Sequence, residues 1–357
     1  MFQSKYKESV PARFFLYNNP FFDKNDIWFH SCSLGETKSL KPIIERLEQN
    51  ANISVITNTG YKEAKKLSNS VRYLPFEIFQ PFWQKRQKVL VVLEAELWYM
   101  LFFTAKRKGD KTILLNARIS DNSYKSYKKF SFFYKLIFRQ IDEVFAQSQK
   151  DADRLKELGA KNIKVIGNIK TFGDFKPTKH YTKPKDRKVV LLASTHKDEE
   201  RAILSHLKPK RDLCIVVAPR HPERFKEVDE YLREYCDKNE ASYSALSKDE
   251  SFEKDVVLCD KMGELVNIYA ICDIAVLGGS FIDGVGGHNP LEPASFEIPI
   301  ISGRYFFNQQ TLYDSVENIH ITQEDKIEEL IQKDLLPARI KDRADIEPVI
   351  RSIQSVV

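Results

Sequence analysis

Short apolar runs alternate with stretches of helical spacing along nearly the whole chain, and this most constrains the fold. Ile27–His30, Ile53–Thr57, Val71–Leu74, Lys88–Leu93, Thr112–Asn116 and Glu143–Ala146 read as strands. Between them lie helical segments. Thr37–Gln49 carries Leu40, Ile43, Ile44 and Leu47 at i, i+3, i+4, i+7, and a turn at Asn58-Thr59-Gly60 leads into a helix through Leu67. A second set of strands follows at Val189–Ala193, Leu213–Ala218, Val256–Leu258, Ile274–Leu277 and Pro299–Ser302. Strands alternating with helices mean βαβ units and mostly parallel sheets.

The two sets are separated by a polar, Pro-bearing stretch without periodicity, 176–188. The expected organisation is a first doubly wound domain over 1–175, a linker at 176–188 and a second such domain over 189–357. The last helix is a candidate to pack back on the first. A length of 357 residues agrees with two domains at roughly 150 residues each. The 24 Phe, 15 Tyr and 42% hydrophobic residues exclude a disordered chain. Five cysteines, 32, 214, 236, 259 and 272, show no C-x-x-C pairing, which argues against a disulfide scaffold or a zinc knuckle. The longest apolar runs fall far short of the ~20 residues a membrane span needs. The net charge of +6 suits acidic small molecules or an anionic membrane surface, and is too weak to argue for nucleic acid.

In open α/β sheets ligands sit beyond the carboxyl ends of the strands. Several loops there are polar where a connection need not be. Ser33-Leu34-Gly35-Glu36 puts a glutamate at the first turn of a helix, where it also complements the helix dipole. Glu94 and Glu96 follow a strand that looks buried, a costly place for a charge without a partner or a task. Arg118, in Asn116-Ala117-Arg118-Ile119-Ser120, suits a phosphate or carboxylate, or a surface ion pair. Lys170 follows a Gly-Asn turn. In the second half, Ser194 and Thr195 precede a helix, as anion-binding termini do. Pro219-Arg220-His221 offers an arginine fork, and Met262-Gly263-Glu264 a glycine turn. Gly278-Gly279-Ser280 and Gly286-Gly287-His288-Asn289-Pro290-Leu291-Glu292-Pro293 are rich in glycine; Ser280 has no G-x-S-x-G context and is not read as a nucleophile.

Taken in order, FHSCSLGE, TNTGY, YLPFE, LEAELW, NARIS, AQSQKDADRLKELGA, GNIK, ASTH, APRHPERF, KMGELVNIYA and GGSFIDGVGGHNPLEPA make the chain resemble the 3-deoxy-D-manno-octulosonic acid (Kdo) transferases, which attach Kdo to lipid A precursor in Gram-negative bacteria. The matching stretches run over about 290 residues, from Trp28 to Phe307. The resemblance implies a GT-B fold: two Rossmann-like domains facing a central cleft, acceptor on the first and CMP-Kdo on the second. It implies Glu36 as general base, with Glu94 and Lys170 assisting the transition state. The donor would meet Ser194, Thr195, Pro219, Arg220, His221, Met262, Gly263, Glu264, Ser280, Asn289 and Glu292. The acceptor would meet Thr57, Thr59, Gly60, Glu96, Arg118 and Ser120. No metal and no cofactor besides the donor substrate is expected.

Two departures stand out. Cys32 takes a position usually held by a small residue. The family's apolar anchor helix is missing, and the polar start at Gln3-Ser4-Lys5-Tyr6-Lys7 suggests trimming. The expected location is the cytoplasmic face of a Gram-negative inner membrane, bound peripherally. Phe130, Phe133, Tyr134, Ile137, Phe138 and Ile141 share one helical face in a segment carrying Lys125, Lys128, Lys129, Lys135 and Arg139. That is either a core helix whose cations snorkel to solvent or an interfacial helix on an anionic leaflet. A GT-B-shaped nucleotide-sugar epimerase is the alternative activity; unlike a transferase, it would need no acceptor.

Overall fold

The structure is a computed structural model that describes residues 6–22, 25–173, 175–341 and 343–357. The opening stretch 1–5 lies outside the described residues. The chain forms two units. One comprises Met1–Gly173 together with Asp342–Val357; the other is Asp174–Lys341.

The first unit holds a seven-stranded sheet of β1 (Ile27–Ser31), β2 (Ala51–Val55), β3 (Val71–Tyr73), β4 (Val89–Leu93), β5 (Lys111–Ala117), β6 (Glu143–Ala146) and β7 (Ile163–Val165), in the order β3-β2-β1-β4-β5-β6-β7. Every pairing is parallel. Strands covered on both faces read as unbroken apolar runs, and Val89-Leu90-Val91-Val92-Leu93 is buried at every position. Its side chains alternate between two cores. Leu90 and Val92 join Trp28, Trp83 and Phe102 on one face, while Val89, Val91 and Leu93 join Ile27, Phe29 and Leu40 on the other.

The second unit has a related seven-stranded sheet of β8 (Lys188–Thr195), β9 (Leu213–Pro219), β10 (Tyr243–Ala245), β11 (Val256–Leu258), β12 (Ile274–Leu277), β13 (Ile300–Ser302) and, beyond the short β14 (Val316–Glu317), β15 (Ile319–Ile321), ordered β10-β11-β9-β8-β12-β13-β15, so that β11 comes between β9 and the edge strand β10. β14 pairs separately and antiparallel with β16 (Arg339–Ile340). The order reverses between β1 and β4 in one sheet and between β8 and β12 in the other. Loops beyond those strand ends are where a doubly wound sheet opens a ligand crevice.

Several elements differ from the sequence reading. Residues 176–188 belong to the second unit and are held along it. Asn267 Oδ1 accepts the N–H groups of Thr178 (2.9 Å) and Lys179 (3.1 Å), and Lys183 pairs with Asp273 at 2.5 Å. The second unit ends at Lys341 and not at 357, and the closing helix Glu347–Gln354, the one read as a candidate to pack back on the first domain, lies in its core, where Ile346, Val349, Ile350 and Ile353 pack with Phe29 and Ile43. Thr37–Gln49 is two helices, Leu34–Ser39 and Lys41–Leu47, with Pro42 in the first turn of the second. A proline at 42 has no N–H to give the carbonyl four residues before it, so the hydrogen-bond ladder is interrupted and a new helix starts there. Asn58-Thr59-Gly60 is the first turn of the helix Asn58–Leu67, capped by Thr57. The segment 122–141 likewise breaks at Phe130 into Asp121–Lys129 and Ser131–Phe138. Ile137, Phe138 and Ile141 are buried, whereas Phe130, Phe132, Phe133 and Leu136 are exposed. One edge of the second helix is therefore core and the other faces solvent.

Candidate active site

In the first unit, β1 delivers Cys32 and Ser33 to the start of the helix Leu34–Ser39. Ser33 caps that helix, and Glu36 reaches back: its Oε1 accepts the Ser33 hydroxyl (2.7 Å) and its Oε2 the Cys32 N–H (2.7 Å). The pattern is a capping box displaced by one residue, since the glutamate takes the N–H before the cap and not that of Ser33 itself. Glu36 is buried, and burial raises its carboxyl above the ordinary 4.5, with the negative charges of Glu94 and Glu96 adding and the two hydrogen bonds opposing. A carboxylate with a raised pKa is a better proton acceptor than an ordinary glutamate.

Glu94 stands at the end of β4 with φ +55° and donates its N–H to Leu115 O at 2.8 Å. A non-glycine residue in the left-handed region costs on the order of 1–3 kcal/mol and tends to mark a functional position. Its carboxylate lies between Lys170 Nζ (2.5 Å) and Arg118 Nε (3.6 Å). The position of Lys170 depends on a residue that sequence reasoning passed over. Asn116, fully buried at a bulge in β5 and also at positive φ, donates to Asn168 Oδ1 (3.3 Å) and accepts the Ile169 N–H (3.0 Å). Asn168 in turn caps the turn that carries Lys170 by accepting its N–H at 3.1 Å. Both asparagines stood in the quoted motifs, NARIS and GNIK, but nothing in their spacing paired them.

The acceptor set divides. The Thr57 hydroxyl donates to Cys32 O (3.2 Å) and accepts the Gly60 N–H (3.1 Å), so it ties the Glu36 loop to the next helix. Gly60 is closely packed: a Cβ would meet Thr57 Oγ1 at 3.0 Å. Thr59 is exposed beside them. Glu96 accepts the Trp98 indole N–H at 2.6 Å. Ser120 is exposed and caps the helix Asp121–Lys129, with no hydrogen bond to the glutamates.

In the second unit, the loops after β8 and β12 are joined by Glu199, another residue missed from sequence. It is fully buried and accepts N–H groups from His196 (2.9 Å), Gly279 (2.7 Å) and Phe281 (3.1 Å). Beside it, Glu200 accepts both Arg224 nitrogens (2.8 and 2.9 Å) and the Thr195 hydroxyl (2.7 Å). The signal for both was the run of three acids Asp198-Glu199-Glu200 one residue beyond a Ser-Thr-His strand end. Arg220 is exposed, and its N–H is anchored on Thr195 O at 3.0 Å. His196 stacks on His288 and meets His221 edge-on. Pro219 closes β9, and Ser194 adopts φ +56°. Asn289 Oδ1 caps the Leu291 N–H at 3.0 Å, and Glu292 lies in the same short helix.

Ser280 does not suit ligand contact. It is fully buried, and its hydroxyl both donates to Leu277 O (2.5 Å) and accepts the Gly303 N–H (2.8 Å). Met262 and Gly263 form a separate exposed turn after β11; Gly263 has φ +86° and open space beyond it. Glu264 accepts the Tyr181 hydroxyl and the Asn267 amide, both at 2.8 Å. Among the described residues no group of three or more His, Cys, Asp or Glu could hold a metal ion. Nor, among them, is any helix long and apolar enough to cross a membrane.

Residues 8–172 match the family model described as 3-deoxy-D-manno-octulosonic-acid transferase (kdotransferase). The chain is 30% identical to the 3-deoxy-D-manno-octulosonic acid transferase of Haemophilus influenzae over 85% of its own length and 77% of that enzyme's. It belongs to the Kdo transferase family of glycosyltransferases. It is also 34% identical, over 80% of its length, to a bifunctional glycosyltransferase/methyltransferase of Fusobacterium nucleatum, of which it spans about half (48%). Among solved structures, the C-terminal CMP-Kdo binding domain of WaaA from Acinetobacter baumannii is 34% identical over 41% of this chain and 79% of that domain, with a TM-score of 0.37. A UDP-N-acetylglucosamine 2-epimerase shares the fold, with a TM-score of 0.52 at 14% identity over 87% of each chain. Two parallel α/β sheets of this order are the GT-B plan, and that plan serves both transferases and epimerases.

Proposed function

We propose that this Kdo transferase family member moves Kdo from CMP-Kdo to a glucosamine hydroxyl of lipid A precursor (lipid IVA), in lipopolysaccharide core biosynthesis, with inversion at the anomeric carbon. Family membership supports the donor. The observation that carries the mechanism is the buried Glu36 carboxyl, raised by burial and by Glu94, at the point where the first sheet reverses order. The acceptor hydroxyl must lose its proton as the new bond forms, and Glu36 accepts it. Lys170, ion-paired with Glu94, assists the transition state from the first unit, and Arg220 in the second meets the charge that grows on the departing CMP phosphate. Pro219, Met262, Gly263, Glu264, Asn289 and Glu292 complete the nucleotide side, and Thr59, Glu96 and Arg118 the acceptor side.

We further propose that the helices Asp121–Lys129 and Ser131–Phe138 meet an anionic leaflet. Exposed Phe130, Phe132, Phe133 and Leu136 among lysines support this. The test of the activity is product mass analysis with CMP-Kdo generated in situ and a tetraacyl lipid A precursor. CMP release only when acceptor is present marks a transferase; consumption of the donor without acceptor marks the epimerase.

A further inference from the structure

Three histidines from separate parts of the second sheet converge. His196 follows β8, His221 follows β9, and His288 lies in the glycine-rich loop after β12. His196 Nε2 and His288 Nε2 are 2.9 Å apart, with rings stacked at 5.1 Å between centroids and 17° between planes. His221 meets His196 edge-on at 5.3 Å. A Cβ on Gly279 would strike the His288 ring at 2.9 Å, so the glycine is what lets that ring lie there.

We propose that this cluster is a proton-linked phosphate-binding group, in which a nucleotide phosphate draws a proton onto His196 Nδ1. Two ring nitrogens in hydrogen-bond contact share a single proton. His288 also bonds the Ser194 backbone. With Nε2 facing His196, its Nδ1 is left to donate to that backbone, and its Nε2 then accepts from His196 Nε2–H. This arrangement leaves His196 Nδ1 as a lone pair with no hydrogen-bond partner among the described residues.

The surroundings keep the pair uncharged without a ligand. His196 is held below the ordinary 6.5 by burial, then by His221, Arg224 and Arg220, with Glu200 opposing. His288 is pushed down to about 4 by burial and by His196, Arg220 and His221. Two further acids lie here: Glu223, mostly exposed, stands 3.8 Å from His221 Nδ1, and Glu199 is committed to three backbone N–H groups, one of them that of His196. An anion placed among Arg220, His221 and His196 reverses that balance and favours the imidazolium. Charge that grows on a leaving phosphate would then be met by a proton taken up at the same place.

The inference rests on the second unit holding a cytidine nucleotide, and the test separates the two. The probes are CMP and its methyl phosphodiester, which does not titrate near neutral pH. Calorimetry of the wild type in two buffers of different ionisation enthalpy reads the protons taken up. The expected result is uptake of a fraction of a proton at pH 7. Affinity for the diester should weaken from pH 6 to pH 8, by at most about tenfold per pH unit, the limit for one linked proton. His196→Gln should bind the diester with no uptake and a flat pH profile. Absence of CMP binding at every pH would overturn the donor reading and this one with it. Binding by the wild type with no proton uptake, or uptake that persists in His196→Gln, would overturn this inference alone.

Discussion

Both sheets reverse strand order beside their first strand, though β10 lies outside β11 in the second, and the chemistry at the two reversals is opposite. In the first, the loops after β1 and β4 present Glu36, Glu94 and Glu96, with cations brought in from β5 and from the turn after β7. In the second, the buried acids Glu199 and Glu200 are turned inward to bind the loops together, and Arg220 and the histidines lie at the strand ends. A carboxylate in a crevice is an acid–base group, whereas a carboxylate saturated by backbone N–H groups is a fastener. The surfaces differ too. Twelve of the sixteen exposed large hydrophobic side chains among the described residues belong to the first unit. Two related sheets thus carry different side chains at the same point of reversal, because the sheet fixes only where loops emerge.

The comparison can be broken by exchanging what each half contributes. Glu36→Gln should lower transfer by roughly 10²–10⁴-fold, the usual worth of a general base, and leave CMP affinity unchanged. A mutant within about threefold of wild type in a CMP-release assay would remove Glu36 from the mechanism. In the other half, Arg220→Ala should weaken CMP by roughly 10- to 150-fold, as loss of a charged hydrogen bond does. Unchanged affinity by calorimetry would mean that Arg220 is not a phosphate ligand.

The supporting shell is tested by Asn116→Ala. It strips the Ile169 N–H of its acceptor and puts alanine at φ +57°. Leaving a buried donor unpaired costs about 1–3 kcal/mol, visible in chemical denaturation, and transfer should fall as the Lys170 turn loosens. Wild-type stability together with wild-type transfer would show that Lys170 is placed without Asn116. For the surface, Lys125, Lys128 and Lys129 changed together to Glu should reduce cosedimentation with anionic vesicles at low salt by about tenfold or more, since each cation near the surface adds to binding. The effect should fade as salt rises, and CMP binding should be spared. A triple mutant that sediments like wild type would leave the helices as core elements only.

The smallest expected effect concerns pH. Glu36 must be ionised to act, so kcat/KM falls as pH drops through its folded pKa, which lies above 4.5. Glu94→Gln removes the second-largest cause of that elevation, so the acid limb should move to lower pH, whatever happens to the maximal rate. A limb that stays in place would assign it to another group.

How much could be read in advance follows physical lines. Parallel strands buried on both faces write themselves as apolar runs, so Glu143–Ala146, Val256–Leu258 and Ile274–Leu277 appear in the structure with the ends read from sequence. Edge strands have one covered flank and little apolar signal. Ile163–Val165, with its two exposed residues, Tyr243–Ala245 and Ile319–Ile321 emerge only through pairing with a neighbour. The candidate residues with a strand-end signature, Glu36, Glu94, Arg118 and Arg220, were visible as polar groups where apolar strands stop. Asn116, Asn168 and Glu199 were not, because their role is to join loops that lie 52 and 80 residues apart in the chain. Ser280 shows the converse: a serine in a glycine-rich loop reads as a ligand until Leu277 and Gly303 are found to occupy its hydroxyl. The amino-acid sequence by itself determined the α/β class, the two sets of strands and the family, since these rest on local periodicity and ordered motifs. Only the tertiary structure decided which acids are tied to backbone N–H groups and which pair with cations, and that the last helix, a candidate from sequence, packs on the first sheet, because those outcomes depend on partners that spacing along the chain does not bring together.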